Sequence, residues 1–236
     1  MKRILVLFII GAGLTACSFG KQTFVSGKPI PLNNEVQNSR TVDSIVTPYK
    51  TELDQQMNRI VSYASVDFIN QRPSGNLGNL IADVMLEGGK QQASKLPTIC
   101  LINFGGLRAP ISKGNVTLGD LFKVMPFDNQ LVLVKMPANS MDEIVNYLHK
   151  SGGEPIAGFF LRGKEVFDAN GNPWKKTEFW VVTSDYLMNG GDKMAFFEQK
   201  LEVIQTGQLF RDVLIQYATS TPNLVSNSEN RIVIQP

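Results

Sequence analysis

Between Leu101 and Met136 the chain reads LINFGGLRAPISKGNVTLGDLFKVMPFDNQLVLVKM. The preceding TIC joins LINF as one apolar run and predicts a strand, QLVLVKM predicts another, and LGDLFKVM predicts a short helix between them. The first run stops at Asn103, Gly105 and Gly106 then strip the backbone of side chains, and Arg108 follows. A strand that ends on an amide and runs into glycines lets a ligand approach bare backbone, because no Cβ stands in the way. Arg108 offers a planar cation with five donors, suited to phosphate, carboxylate or sugar oxygens. The same residues would also serve as a tight turn carrying a surface arginine.

Outward from this stretch, TPYKTELDQQMNRIVSYAS spaces Leu53, Met57, Ile60, Val61 and Ala64 for a helix with one buried face. GNLGNLIADVMLEGGKQQA does the same with Leu77, Leu80, Ile81, Val84 and Met85, and Gly88 and Gly89 predict its C-cap. NSMDEIVNYLHKSGG predicts a helix opened by a capping box of Ser140 and Glu143. GFFLRG, EFWVVTSDYL and RIVIQ predict strands, and TGQLFRDVLIQYATS predicts a helix with Leu209, Phe210, Val213, Leu214 and Tyr217 on one side. Helices and strands are interspersed without regular alternation or internal repeat, so the expectation is one α+β domain over residues 42–236.

The N-terminus reads differently. MKRILVLFIIGAGLTAC has a basic start at Lys2 and Arg3, an apolar segment too short to span a membrane, and small residues before Cys17, which predicts a signal peptide over residues 1–16. Leu14 to Cys17 resembles the bacterial lipobox, which implies cleavage before Cys17, lipid on that cysteine and an exported, membrane-anchored lipoprotein; a plain signal peptide with an incidental cysteine is the other reading. Ser18 in place of an aspartate points to the outer membrane. Residues 17–41 are polar and aperiodic and read as a tether reaching roughly 25 to 30 Å if flexible. Without Lys2 and Arg3 the 23 basic residues fall level with the 21 acidic ones, so charge argues for neither nucleic acid nor electrostatic membrane binding. Cys100 would be the one thiol left, and its apolar setting makes it a core residue rather than a nucleophile.

A second glycine turn lies in SDYLMNGGDKMAFFEQ, where Asn189, Gly190, Gly191 and Asp192 would also suit a plain hairpin. Each glycine turn leads to an aromatic or sulfur-rich patch, Phe127 in MPFDN and Met194, Phe196 and Phe197 in MAFF. Two such groups facing each other can sandwich a planar base.

NLGNLIAD, the Leu101 to Met136 stretch and NGGD, in this order and at these separations, resemble the C-terminal substrate-binding domain of the 5′-nucleotidase family, which includes ecto-5′-nucleotidase and bacterial UDP-sugar hydrolases. The resemblance covers residues 42–236 and implies a layered α/β/β/α fold that binds the nucleoside part of a substrate between two aromatic groups. It assigns Asn103 and Arg108 to base, ribose or phosphate, with Gly105 and Gly106 between them, and Phe127 to the first stacking ring. Met194, or Phe196 swinging in, is expected as the second surface beside the Asn189 to Asp192 turn. Arg72 is the one arginine near the position where the family carries one before its N-x-G-N helix, and Glu198 is a candidate ribose-binding acid.

Family enzymes hydrolyse phosphate esters with two metal ions held by a separate N-terminal domain rich in histidine. This chain has one histidine, His149, near the end of a predicted helix where a cation suits the dipole. One histidine cannot build a two-ion centre, and neither a Ser-His-Asp nor a Cys-His set is in view. No catalytic residue, metal ligand or cofactor is therefore expected in this chain, and divalent metals are expected only in a partner. Three readings stay open: a nucleotide-specificity domain working with a separately encoded metallophosphatase, a stand-alone nucleotide-binding lipoprotein, and an enzyme of unseen chemistry. The anchor is testable alone: Cys17→Ser should move the protein out of the membrane fraction, and unchanged fractionation would remove the lipid assignment.

Overall fold

The computed structural model describes residues 27, 29–30, 39–93, 96–175 and 177–234. The expected signal peptide, Cys17 and most of the expected tether lie outside the described residues. The chain divides into two compact units, Met1–Ile45 and Val46–Pro236. Regular structure described in the first is the opening of helix α1 (Arg40–Met57).

The second unit continues from α1 through β1 (Ile60–Ala64), α2 (Asn76–Lys90), β2 (Thr98–Leu101), β3 (Gly114–Thr117), α3 (Leu118–Val124) and β4 (Gln130–Met136). It goes on with α4 (Ser140–Ser151), β5 (Ile156–Ala157), β6 (Phe159–Arg162), β7 (Glu165–Asp168), β8 (Phe179–Ser184) and the single turn α5 (Asp185–Met188). Then come β9 (Glu202–Leu209), α6 (Phe210–Ser220), β10 (Asn223–Leu224) and β11 (Ile232–Val233). The result is α+β with several sheets, as the irregular element order implied.

A five-stranded sheet, β5-β2-β8-β4-β9, forms the middle layer. Every residue of β8 is buried. Strand side chains alternate between faces, and here the alternation feeds two cores. Trp180 and Val182 of β8 and Leu131 and Leu133 of β4 join Leu77, Ile81 and Met85 of α2 and Phe210 and Leu214 of α6. Phe179, Val181, Val132, Val134 and Met136 point the other way, onto Ile144 and Leu148 of α4 and Phe159 and Leu161 of β6. Two small sheets, β10-β1-β3 and β11-β6-β7, add Ala64, Val116 and Leu224 to the first core and Ile232 to the second.

Several local expectations are corrected. The helix that was to include Ile60, Val61 and Ala64 ends at Met57, and none of its residues is buried. Ile60 to Ala64 instead pair antiparallel with β3, where a β-branched pair and period-two burial of Ser62 and Ala64 suit a strand. The capping box forms at α3: Asp120 N donates to Thr117 Oγ1 at 3.2 Å and Thr117 N donates to Asp120 Oδ2 at 3.0 Å. At α4 the N-cap is Asn139, which puts Ser140 one position inside the helix, where it cannot cap. EVIQTGQL, GNVT and EVFD form strands that alternation did not mark.

Gly88 and Gly89 do not cap α2, which runs through them to Lys90. They let the helix lie against its neighbours: a Cβ on Gly89 would fall 2.8 and 2.9 Å from the two γ-methyls of Val182, and one on Gly88 2.8 Å from Val213. In an open helix Gly→Ala stabilises by about 0.5 to 1 kcal/mol. Here the sign should reverse, with Gly89→Ala costing about 1 to 3 kcal/mol by overpacking. Urea denaturation should show that loss, and adding Val182→Ala should recover part of it.

Candidate functional site

The strand pairing gathers three loops at one edge of the middle sheet. β2 and β8 are parallel neighbours, so their carboxyl ends lie together, and β4 runs antiparallel to β8 with Leu131 opposite Ser184. The turn after β2 carries Asn103 to Arg108, the loop before β4 carries Phe127, and the turns after β8 carry Tyr186 and Asn189 to Asp192.

Asn103 Nδ2 donates to Asp192 Oδ2 at 2.6 Å, joining the two glycine turns directly. Tyr186 Oη donates to Asp192 Oδ1 at 2.9 Å, and Tyr147 Oη donates to the Asp192 carbonyl at 3.1 Å. Two of the four glycines, Gly106 and Gly191, are spatial necessities. A Cβ on Gly106 would meet Asn103 Oδ1 at 2.7 Å, and one on Gly191 would enter the Tyr186 ring at 2.5 Å. Gly105 stands clear, with Asp192 Oδ2 4.0 Å from where its Cβ would be. Asn189 is exposed at the end of α5, and Gly190 takes φ 87° to turn the chain toward Asp192.

Phe127 is 48 % exposed and shares a hollow with Ile102, Asn103, Gly106, Leu107, Asn129 and Ser184. Its loop is pinned from behind: Arg211 pairs with Asp128, donates to the Met125 carbonyl at 3.4 Å and lies 4.3 Å over the Phe122 ring. Arg108 is exposed, its backbone N–H tied to the Val124 carbonyl at 2.9 Å and its Nη1 3.3 Å from the Gly105 carbonyl.

Two expected residues are placed elsewhere. Met194 and Phe196 are buried in the second core, because the 3-10 turn Ala195–Gln199 rolls them under the sheet, where Phe196 packs edge-on to Tyr147 at 5.6 Å. Neither presents a face to a ligand. The exposed ring on this side is Tyr186, 46 % exposed, which sequence reasoning missed by running the strand on to Leu187. Ser184 followed by Asp185 was the available signal: Ser184 Oγ caps α5 by accepting from Leu187 N at 3.2 Å, and this ends the strand. Glu198 is exposed on the 3-10 turn, and no hydrogen bond or ion pair joins it to the site among the described residues.

Arg72 reaches the site from behind. Its guanidinium lies 4.6 Å over the Phe104 ring and donates to Glu154 Oε1 at 2.8 Å. Glu154, 3 % exposed, accepts from the Phe104 N–H through Oε2 at 2.6 Å. Burial raises its pKa despite the Phe104 N–H and Arg72, and burial followed by the charges of Glu154 and Asp192 pushes Tyr147 up to about 12. His149 holds the Gly163 carbonyl at 2.7 Å through Nε2, and Cys100 is fully buried, with burial raising its thiol pKa. Among the described residues no group of three or more His, Cys, Asp or Glu side chains could hold a metal ion.

Glu154 therefore sets a pH dependence. With its pKa raised above 4.5, the folded chain holds more protons than the unfolded chain between that value and the raised one, so its contribution to stability falls as pH rises. Glu154→Gln cannot ionise and lacks this slope. Urea midpoints between about pH 4 and pH 7 should shift in favour of the variant relative to wild type as pH climbs.

The 5′-nucleotidase C-terminal domain family matches residues 34–154, slightly more than half of the chain. Mouse 5′-nucleotidase is 24% identical across 87% of this chain and 42% of its own length. The trifunctional nucleotide phosphoesterase protein YfkN of Bacillus subtilis (strain 168) is 27% identical across 84% of this chain and 15% of its own. Among solved structures, the 5′-nucleotidase precursor from Thermus thermophilus superposes with a TM-score of 0.69 at 24% identity, over 81% of this chain and 42% of that one. The NAD nucleotidase (NadN) of Haemophilus influenzae follows with a TM-score of 0.58 at 18% identity, over 82% of this chain and 41% of that one. The chain thus spans less than half the length of these relatives, and its sheet-edge site sits on a fold they share. It belongs to the 5′-nucleotidase C-terminal domain family.

Proposed function

We propose that this domain holds the nucleoside portion of a nucleotide and sets substrate choice for a phosphohydrolase, the hydrolytic chemistry coming from a separately encoded metallophosphatase. The observation that carries this reading is the convergence of two half-exposed rings on one polar pair. Phe127 shares a hollow with Asn103, and Tyr186 is hydrogen-bonded to Asp192, the partner of Asn103. Rings offer stacking faces to a base, a carboxylate and an amide suit ribose hydroxyls and base edges, and Arg108 suits phosphate. Relatives that carry this domain are described as 5′-nucleotidases and a nucleotide phosphoesterase. One histidine in the whole sequence supports placing a two-ion centre elsewhere. Lipid on Cys17 would hold the protein at the bacterial outer membrane beside such a partner.

Phe127→Ala and Tyr186→Ala should each weaken nucleotide binding by about 1 to 3 kcal/mol, the usual worth of one stacking face. Tyr186→Phe keeps the ring and loses the bond to Asp192, so it should bind more tightly than Tyr186→Ala. Calorimetry with the purified chain measures this, and phosphate release should stay at background until a metallophosphatase co-purified from the native membrane is added. Unchanged affinity in both alanine variants would remove the stacking site.

A further inference from the structure

Helix α1 runs for 18 residues, roughly 27 Å at 1.5 Å per residue, without placing one side chain in either core. Its residues are nevertheless sorted. At 100° per residue, Val42, Ile45, Val46, Tyr49 and Leu53 fall within an arc of about 100°. All five are exposed, Tyr49 at 74 %. A helix of this length is marginal in water when its apolar face covers nothing, and a contiguous apolar stripe open to solvent marks an interaction surface. Pro48, inside the helix, falls outside that arc.

The charges beside the stripe say what covers it. One flank carries Arg40, Asp43, Lys50 and Asp54, so the signs along the chain are plus, minus, plus, minus. None of the four forms an ion pair among the described residues. Read backwards, the same order has every sign inverted. A second α1 laid antiparallel, with its Tyr49 opposite Val46, therefore brings its Leu53 opposite Val42, its Lys50 beside Asp43 and its Asp54 beside Arg40. Two-fold symmetry makes each of these pairings occur twice. A parallel copy would turn this flank toward the opposite one, whose single charge is Glu52, and would leave most of the four unmatched.

We propose that α1 is a self-association surface, which pairs antiparallel with α1 of a second copy of this chain through Val42, Val46, Tyr49 and Leu53. The inference stands apart from the nucleotide reading, because no residue of α1 lines the hollow of Phe127.

Sedimentation equilibrium of the full-length protein in mild detergent should show monomer and dimer in exchange. Tyr49→Glu changes an exposed position, so near-ultraviolet circular dichroism should keep its folded signature, while a charge forced into the contact should raise the dimer dissociation constant about a hundredfold or more. Lys50→Asp sets aspartates against each other at both symmetric pairings and should raise it about tenfold. Adding Asp43→Lys to Lys50→Asp exchanges the two charges and should restore the wild-type constant. A chain that stays monomeric at every concentration overturns the inference, as does a dimer indifferent to Tyr49→Glu. Failure of the charge exchange to restore pairing overturns the antiparallel arrangement. If Tyr49→Glu instead loses a metallophosphatase co-purified from the native membrane while the chain alone is monomeric, the face belongs to that partner and self-association is overturned.

Discussion

Strand β8 meets no water on either face, and this constraint shapes the molecule. A half-buried strand can tolerate polar residues at alternate positions, whereas one covered on both sides reads as a continuous apolar run. FWVVTS does so until Thr183 and Ser184, and those two hydroxyls are used: Thr183 Oγ1 donates to the Leu101 carbonyl at 2.8 Å, and Ser184 caps the turn that follows. The apolar part of the strand holds two cores apart, and its polar end begins the site. Packing and the candidate site thus share one strand, and its register decides both.

That register explains why residues far apart in the chain share one edge. β2 and β8 are parallel, so Asn103 and the Asp192 turn leave the sheet on the same side, and β4 returns antiparallel with Phe127 just ahead of it. The linking contacts are hydrogen bonds at the surface, which in water contribute only about 1 kcal/mol each. Their geometry comes from beneath, from buried Glu154 gripping the Phe104 N–H and Arg72, and from Arg211 bracing the loop of Phe127. Exposed groups resting on buried charged supports give the candidate site a shape that is defined by the fold itself.

The legible parts of the fold were those where a single physical demand acted on many residues. The buried face of α2 and the run of β4 each involve several side chains in one repeating pattern, and both stand as read. Misreadings occurred where two demands use the same residue type. Glycines at 88 and 89 looked like a helix stop because flexibility and lack of bulk are indistinguishable in a sequence, and here lack of bulk against Val182 and Val213 is what matters. Ile60 to Ala64 continued a helical spacing by coincidence, over too few residues for the period to discriminate. At the site, the two glycine turns and Phe127 were visible because glycine and exposed aromatic residues stand out. The choice between Tyr186 and the MAFF residues was not visible, since it depends on where β8 ends and on which way a 3-10 turn rolls.

The carboxylate at the polar centre keeps spare capacity. Each oxygen of Asp192 accepts one hydrogen bond from protein, from Asn103 or from Tyr186, and each can accept a second. A pair of hydroxyls arriving together could therefore bind without displacing either protein donor. A lone amine or a single hydroxyl would use half of that capacity. Vicinal hydroxyls in one rigid ring lose little entropy in doing so, since their spacing is fixed before binding. On the proposed reading this favours a ribose over an open-chain polyol, and it assigns recognition of the sugar to Asp192 while the rings take the base and Arg108 takes the phosphate.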